Sequence, residues 1–152
     1  MTKSQDDTHK RGEAMALLAR AESSLLAAVI ERFGPLGVGD DLKQPECGLV
    51  MIRGRIGGDG AAFNVGETTV VRAVVRLKSG ATGYGLRLGR DVTAARHAAI
   101  LDALWQAPET RSEVEATVLV PTRCRLEHSN KAAAAAAASS RVEFFTMARE
   151  AS

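Results

Sequence analysis

Three short runs of strand-forming residues, punctuated by glycine turns, constrain this chain more than any other feature. Gly48 to Ile56 reads Gly-Leu-Val-Met-Ile-Arg-Gly-Arg-Ile, and Thr68 to Leu77 reads Thr-Thr-Val-Val-Arg-Ala-Val-Val-Arg-Leu. The second run is the stronger, being dense in β-branched residues that fit a pleated surface. A third, Ala81 to Leu88, has Tyr84 near its centre, and Ser79-Gly80 before it and Gly57-Gly58-Asp59-Gly60 further back are turn signals. Links this short exclude parallel neighbours, which need crossovers of about a dozen residues or more, and dictate an antiparallel meander.

Helices fall to either side of the meander. From Lys10 to Phe33 the apolar residues repeat at helical spacing: Ala14, Leu17, Leu18 and Ala21 form one stripe, and Leu25, Leu26, Val29, Ile30 and Phe33 a second. Ser23 and Ser24 between them can cap a new helix by accepting a backbone N–H, which favours two helices over one. Gly34-Pro35 ends the region. Asp91 opens a helix over Val92 to about Gln106, before Pro108. A short apolar piece, Ala116 to Val120, precedes Pro121, and a last helix runs from Thr122 to Ser140 through seven consecutive alanines, 132–138. The expected architecture is therefore α+β: an antiparallel β-meander with N-terminal helices, one helix after the meander, and a long C-terminal helix followed by a short extended tail. It forms a single domain over residues 10–149 behind a flexible tail, 1–9.

Composition narrows the function. The formal charge is only +2, which argues against a general nucleic-acid or membrane-surface binder. Met1 to Gly12 is too polar for a signal peptide, and no apolar run approaches the ~18 residues that span a bilayer. Cys47 and Cys124 lack a CxxC partner or a histidine at ligand spacing, so they read as plain thiols in a reducing, cytoplasmic setting, with no metal site.

Motifs for stand-alone catalysis are missing: there is no GxSxG, no HExxH and no P-loop lysine, so no catalytic residue is assigned. Gly57 to Gly60 is either a β-turn or a nest of backbone N–H groups for a phosphate. Arginine supplies fifteen of the twenty basic residues. By strand alternation Arg53 and Arg55 share a face with Leu49 and Met51, and Arg72 and Arg76 share a face with Val70 and Val74. Four guanidinium groups on neighbouring strands make either a solvated face, a partner contact or a basic surface suited to phosphate and carboxylate. His97 lies on the apolar stripe of its helix with Ile100, Leu101 and Leu104, where it is either structural or a group titrating near neutrality. The segment Arg141 to Met147 carries Phe144, Phe145 and Met147, an apolar cluster that must dock on its own sheet or on another chain.

Together these runs resemble the PhnG subunit family of the carbon–phosphorus lyase system. The resemblance rests on Gly48 to Gly60, Thr69 to Leu77, Gly83-Tyr84, Gly89-Arg90-Asp91, Ile100 to Leu104 and Arg141 to Met147, in order over residues 10–149. It implies a subunit of a multiprotein enzyme of bacterial phosphonate catabolism. That assembly couples an alkylphosphonate to MgATP, releases adenine and gives α-D-ribose 1-methylphosphonate 5-triphosphate. It further implies the H, I and J subunits as partners, chiefly subunit I, with nucleosidase chemistry on the partner and no cofactor bound by this chain. The same resemblance, with the apolar tail, leads us to expect pairing between copies. Histidine at position 97 is not demanded by the family pattern, which weakens a catalytic role for it.

Overall fold

The computed structural model describes residues 3–55 and 60–139. The chain order is α1 (Lys3–Arg20), α2 (Ser23–Phe33), a 3-10 turn (Gly34–Gly37), β1 (Gly39–Gly54), β2 (Phe63–Leu77), β3 (Thr82–Leu88), α3 (Val92–Gln106), α4 (Pro108–Val114), a π-helical turn (Glu115–Leu119) and α5 (Val120–Ser139). The strands form one antiparallel sheet in the order β1-β2-β3, so the α+β meander flanked by helices is what the chain adopts. The expected C-terminal tail lies outside the described residues.

Several boundaries differ from expectation, each for a local reason. The first helix begins at Lys3, so the residues expected as a flexible tail supply its opening turns. The two N-terminal helices do break near Ser23, but Ser23 caps nothing: its hydroxyl donates to Asp91 Oδ2 at 2.8 Å, and the α2 N-cap has no side-chain bond. β1 starts at Gly39, nine residues before Gly48, and passes through Pro45. An edge strand tolerates a residue without an N–H, and the register slips between Lys43 and Glu46, around that proline. Pro121 fails to stop the C-terminal helix. The π-helical turn just before it shifts the hydrogen-bond ladder, with Val120 N–H reaching Glu115 O, so α4 and α5 run on through the proline.

The core forms around α3. Ala94, Ala95 and every residue from Ala98 to Trp105 are buried, so the helix is covered on nearly all sides. Val71, Ala73, Val75 and Leu77 of β2 pack on one side of it. Ala14, Leu18 and Ala21 of α1, Leu26, Val29 and Phe33 of α2, and Val114, Val118 and Leu119 complete the cluster. β3 meets α3 through its backbone. A Cβ on Gly83 would lie 1.9 Å from Ala99 O, and one on Gly85 would lie 2.1 Å from Ala95 O. Glycine on the strand and alanine on the helix let the two elements touch where any larger residue would wedge them apart.

A buried carboxylate locks this arrangement. Asp102, fully buried on α3, accepts from Arg11 Nε at 3.1 Å and Nη2 at 2.7 Å, and from the backbone N–H of Tyr84 at 2.9 Å. Arg11 also lies over the Tyr84 ring, 5.7 Å from its centroid. One side chain thus joins α1, α3 and the free edge of β3.

Two stability measurements test this account. Gly85→Ala should cost about 1–3 kcal/mol or more in urea unfolding, because overpacking here strikes backbone and not a flexible side chain. Arg11→Met should cost about 3 kcal/mol, the lower end for stranding one member of a buried pair, since Arg11 is 31% exposed. A neutral outcome for either variant contradicts the packing described.

Candidate partner-binding surface

Among the described residues, one face of the sheet is covered by α3 and the other carries no helix packed along it. The side chains of Val71, Ala73, Val75 and Leu77 meet α3, while the alternate residues of β2 and their paired neighbours point outward. That open face carries Tyr84, Leu86 and Leu88 from β3, Val70, Arg72, Val74 and Arg76 from β2, and Glu46, Val50 and Ile52 from β1. Val70 is buried and Val74 half-buried; Tyr84, Leu86 and Leu88 are 49%, 49% and 72% exposed. Among the described residues, ten of the fourteen exposed large apolar side chains lie on the three strands, which marks the sheet as the unpartnered part of the molecule.

β3 pairs with β2 only as far as Leu88 opposite Val70. Beyond that point β1 and β2 continue as a two-stranded ribbon, paired from Gly48–Val70 to Gly54–Phe63. Leu49 and Met51 are exposed on the face that continues the core side, and Val50 and Ile52 on the other. Phe63 and Val65 add to it.

The four sequence-predicted arginines do not converge. Leu49 and Met51 pair with Thr69 and Glu67, on the side of β2 opposite to Arg72 and Arg76, and the register shifts between Ile52 and Arg53. Arg53 pairs with Asn64, eight residues along β2 from Arg72, roughly 26 Å at about 3.3 Å per residue. Arg53 is therefore separated from Arg72 and Arg76 by distance along the hairpin. Arg72 is 3.6 Å from Glu46, Arg76 is paired with Asp40 across the ladder, and Arg53 donates to Ala62 O at 3.5 Å. Lys43 draws the Glu46 carboxyl below its usual range, helped by Arg72. The Gly57 to Gly60 turn, apart from Gly60, lies outside the described residues, as do Phe144, Phe145 and Met147.

The arginines that do most for the fold were not singled out from sequence. Arg87 donates to Leu18 O and Ala21 O, closing the C-terminal end of α1. Burial pulls its pKa down, with Asp91 opposing. Arg96 donates to Asp41 Oδ1 and Gly39 O, fastening β1 to α3. Arg111 donates to Trp105 O and lies 4.4 Å from the Trp105 ring centroid, while Trp105 Nε1 donates to Glu115. The one legible signal was Asp102, a carboxylate inside the apolar stretch Ile100 to Leu104, which demands a buried cationic partner.

His97 is half-buried on α3. Burial is the main force lowering its pKa, with Arg96 adding to it and Asp91 opposing. Asp91 accepts from Ala94 N–H and Ser23, and its own carboxyl is held low by those bonds. Shallow cavities of 180–370 Å³ lie along α1 and beside the α3–α4 turn. The one richest in charge is lined by Lys10, Glu13, Trp105, Arg111, Glu115 and Arg123. Among the described residues no three His, Cys, Asp or Glu side chains gather as a metal would need, and no helix is long and apolar enough to cross a membrane.

The model of the family described as phosphonate metabolism protein PhnG matches residues 9–150. The chain is 44% identical over 149 residues to the alpha-D-ribose 1-methylphosphonate 5-triphosphate synthase subunit PhnG of Rhizobium meliloti (strain 1021), covering 97% of this chain and 95% of that protein.

His97 generates a pH prediction. Its folded pKa lies below the ordinary 6.5, so the unfolded chain binds the extra proton first as pH falls. Its contribution to stability is complete above about 6.5 and is lost as pH drops through the lower folded value. Urea midpoints measured from pH 7.5 to 5 should fall for the wild type and fall less for His97→Gln. Equal slopes remove His97 from the pH response.

Proposed function

The chain belongs to the PhnG family of phosphonate metabolism proteins, and from that premise we propose that it is a surface-contributing subunit of an α-D-ribose 1-methylphosphonate 5-triphosphate synthase. In this reading the complex works in the cytoplasm on MgATP and an alkylphosphonate such as methylphosphonate. A phosphonate oxygen forms the new bond to the anomeric carbon of the ribose as the bond to adenine breaks, and adenine leaves. The groups that carry out this displacement belong to a partner, chiefly the I subunit, with H and J completing the assembly. MgATP is a substrate of the whole, and this chain holds no cofactor of its own.

The relative's name supports the subunit assignment, and the open sheet supports the division of labour. A sheet that leaves ten large apolar side chains exposed on its strands is built to be covered. Obligate interfaces commonly bury over ~2,000 Å² and are more apolar than ordinary surface. The alternative, in which Arg53, Arg55, Arg72 and Arg76 together grip the triphosphate or phosphonate, is less favoured because Arg53 pairs eight residues along β2 from Arg72, roughly 26 Å away at about 3.3 Å per residue.

Adenine release from MgATP and methylphosphonate, followed by chromatography, tests the proposal. The chain alone should release none, the assembly with the H, I and J subunits should release adenine, and omission of this chain should abolish release until it is added back. Turnover by the lone polypeptide, with contaminating subunits excluded, contradicts the proposal, as does full activity without it.

A further inference from the structure

We propose that the β1–β2 ribbon, residues 48–54 and 63–69, is an insertion arm gripped on both faces by an apolar cleft of a partner subunit with carboxylates at its closed end. The inference rests on the subunit reading above and adds to it a specific surface and the shape of what covers it. Leu49 and Met51 are each 64% exposed on one face of the ribbon, and Val50 and Ile52 are 38% and 46% exposed on the other. β3 has already ended, so among the described residues no strand pairs with either outer edge of the ribbon.

This geometry discriminates among occupants. Seven residues per strand make a ribbon about 20 Å long and, with strands about 4.8 Å apart, about 10 Å wide. One face then offers on the order of 200 Å², far below the roughly 800 Å² per partner of a stable, specific interface. Stacking of two copies face to face covers one face and leaves the other wet. Pairing of two copies edge to edge extends the ladder and covers neither face. Insertion of the arm into a second copy needs a two-walled groove, and the cavities along α1 and beside the α3–α4 turn, 180–370 Å³, are too small for a ribbon of this size. An occupant with two walls, supplied by a different subunit, covers both faces and the edges together.

Charge sets the polarity of that cleft. Arg53 and Arg55 are exposed at the far end of the arm, where Arg53 donates to the neighbouring Ala62 carbonyl. Glu67 is set back opposite Met51. Apolar walls with carboxylates at the deep end match this order of side chains.

The experiment uses the full chain co-expressed with its H, I and J subunits. Leu49→Thr with Met51→Thr alters one face, Val50→Thr with Ile52→Thr the other, and threonine keeps strand preference in both. Each pair should weaken association more than tenfold while thermal unfolding of the isolated chain stays unchanged. In unmutated protein, peroxide oxidation of Met51 should be slowed in the assembly relative to the free chain. Arg53→Glu with Arg55→Glu should weaken association more at low salt than at high salt. Loss from one face only means flat docking and overturns the proposal, as does unchanged Met51 oxidation. Full association of both face variants overturns the arm while leaving the subunit reading intact. A dimer of the free chain that the variants split assigns the arm to a second copy and also overturns it. If the unmutated chain is not retained by the other subunits, the subunit reading itself falls.

Discussion

The fold depends on one carboxylate. Asp102 lies in the most buried helix of the molecule, where an unpaired charge is not tolerable. Its two oxygens accept four N–H groups, two from Arg11, one from the Tyr84 backbone and, at 3.5 Å, one from the Gln106 amide. The Tyr84 amide belongs to the edge strand, whose outward N–H groups would otherwise await water or another chain. The pair therefore closes an edge, docks α1 and fixes the height of β3 against α3 in a single contact. Burying this pair does not by itself make the protein stable, since desolvation offsets the attraction. Breaking it leaves a charge with nowhere to go, and that asymmetry imposes one arrangement on the three elements.

The other arginines extend the same logic. Helix ends and strand ends leave carbonyls unpaired, and a guanidinium with a fixed fork of donors can satisfy two of them while its stem fills apolar space. Arg87 does this for the end of α1 and Arg96 for the start of β1. Close contact between α3 and β3 through Gly83, Gly85 and alanines leaves little room for bulky apolar side chains at that junction, and the chain has only six aromatics in all. Polar clamps supply the specificity that large interdigitating side chains supply elsewhere.

This explains which parts of the molecule were legible in the sequence. The meander, the helix capped by Asp91 and the long alanine helix follow from local preference, because strand composition, a cap and helix propensity act over a few residues. The N-terminal break near Ser23 was legible, but its cause was not, since the hydroxyl serves Asp91, 68 positions away. The passage of a helix through Pro121 was hidden for the same reason: a π-helical turn, and not the proline, decides the ladder. The distance between the arginines was hidden in the strand pairing. Alternation along a strand is local, but which face of β1 meets which face of β2 depends on pairing that composition does not specify.

The strands differ in length. β1 and β2 are sixteen and fifteen residues long, while β3 has seven, so among the described residues about half of the hairpin has no third strand beside it. A lone two-stranded ribbon is marginal in water, and exposed apolar side chains on both sides make it a liability for a solitary protein. Trimming the hairpin to the length of β3 would remove that liability without touching the buried cluster around α3. The core needs only the inner half of the hairpin, from Val71 to Leu77. The outer half takes no part in that core, and on the reading proposed above its use is insertion into a partner subunit.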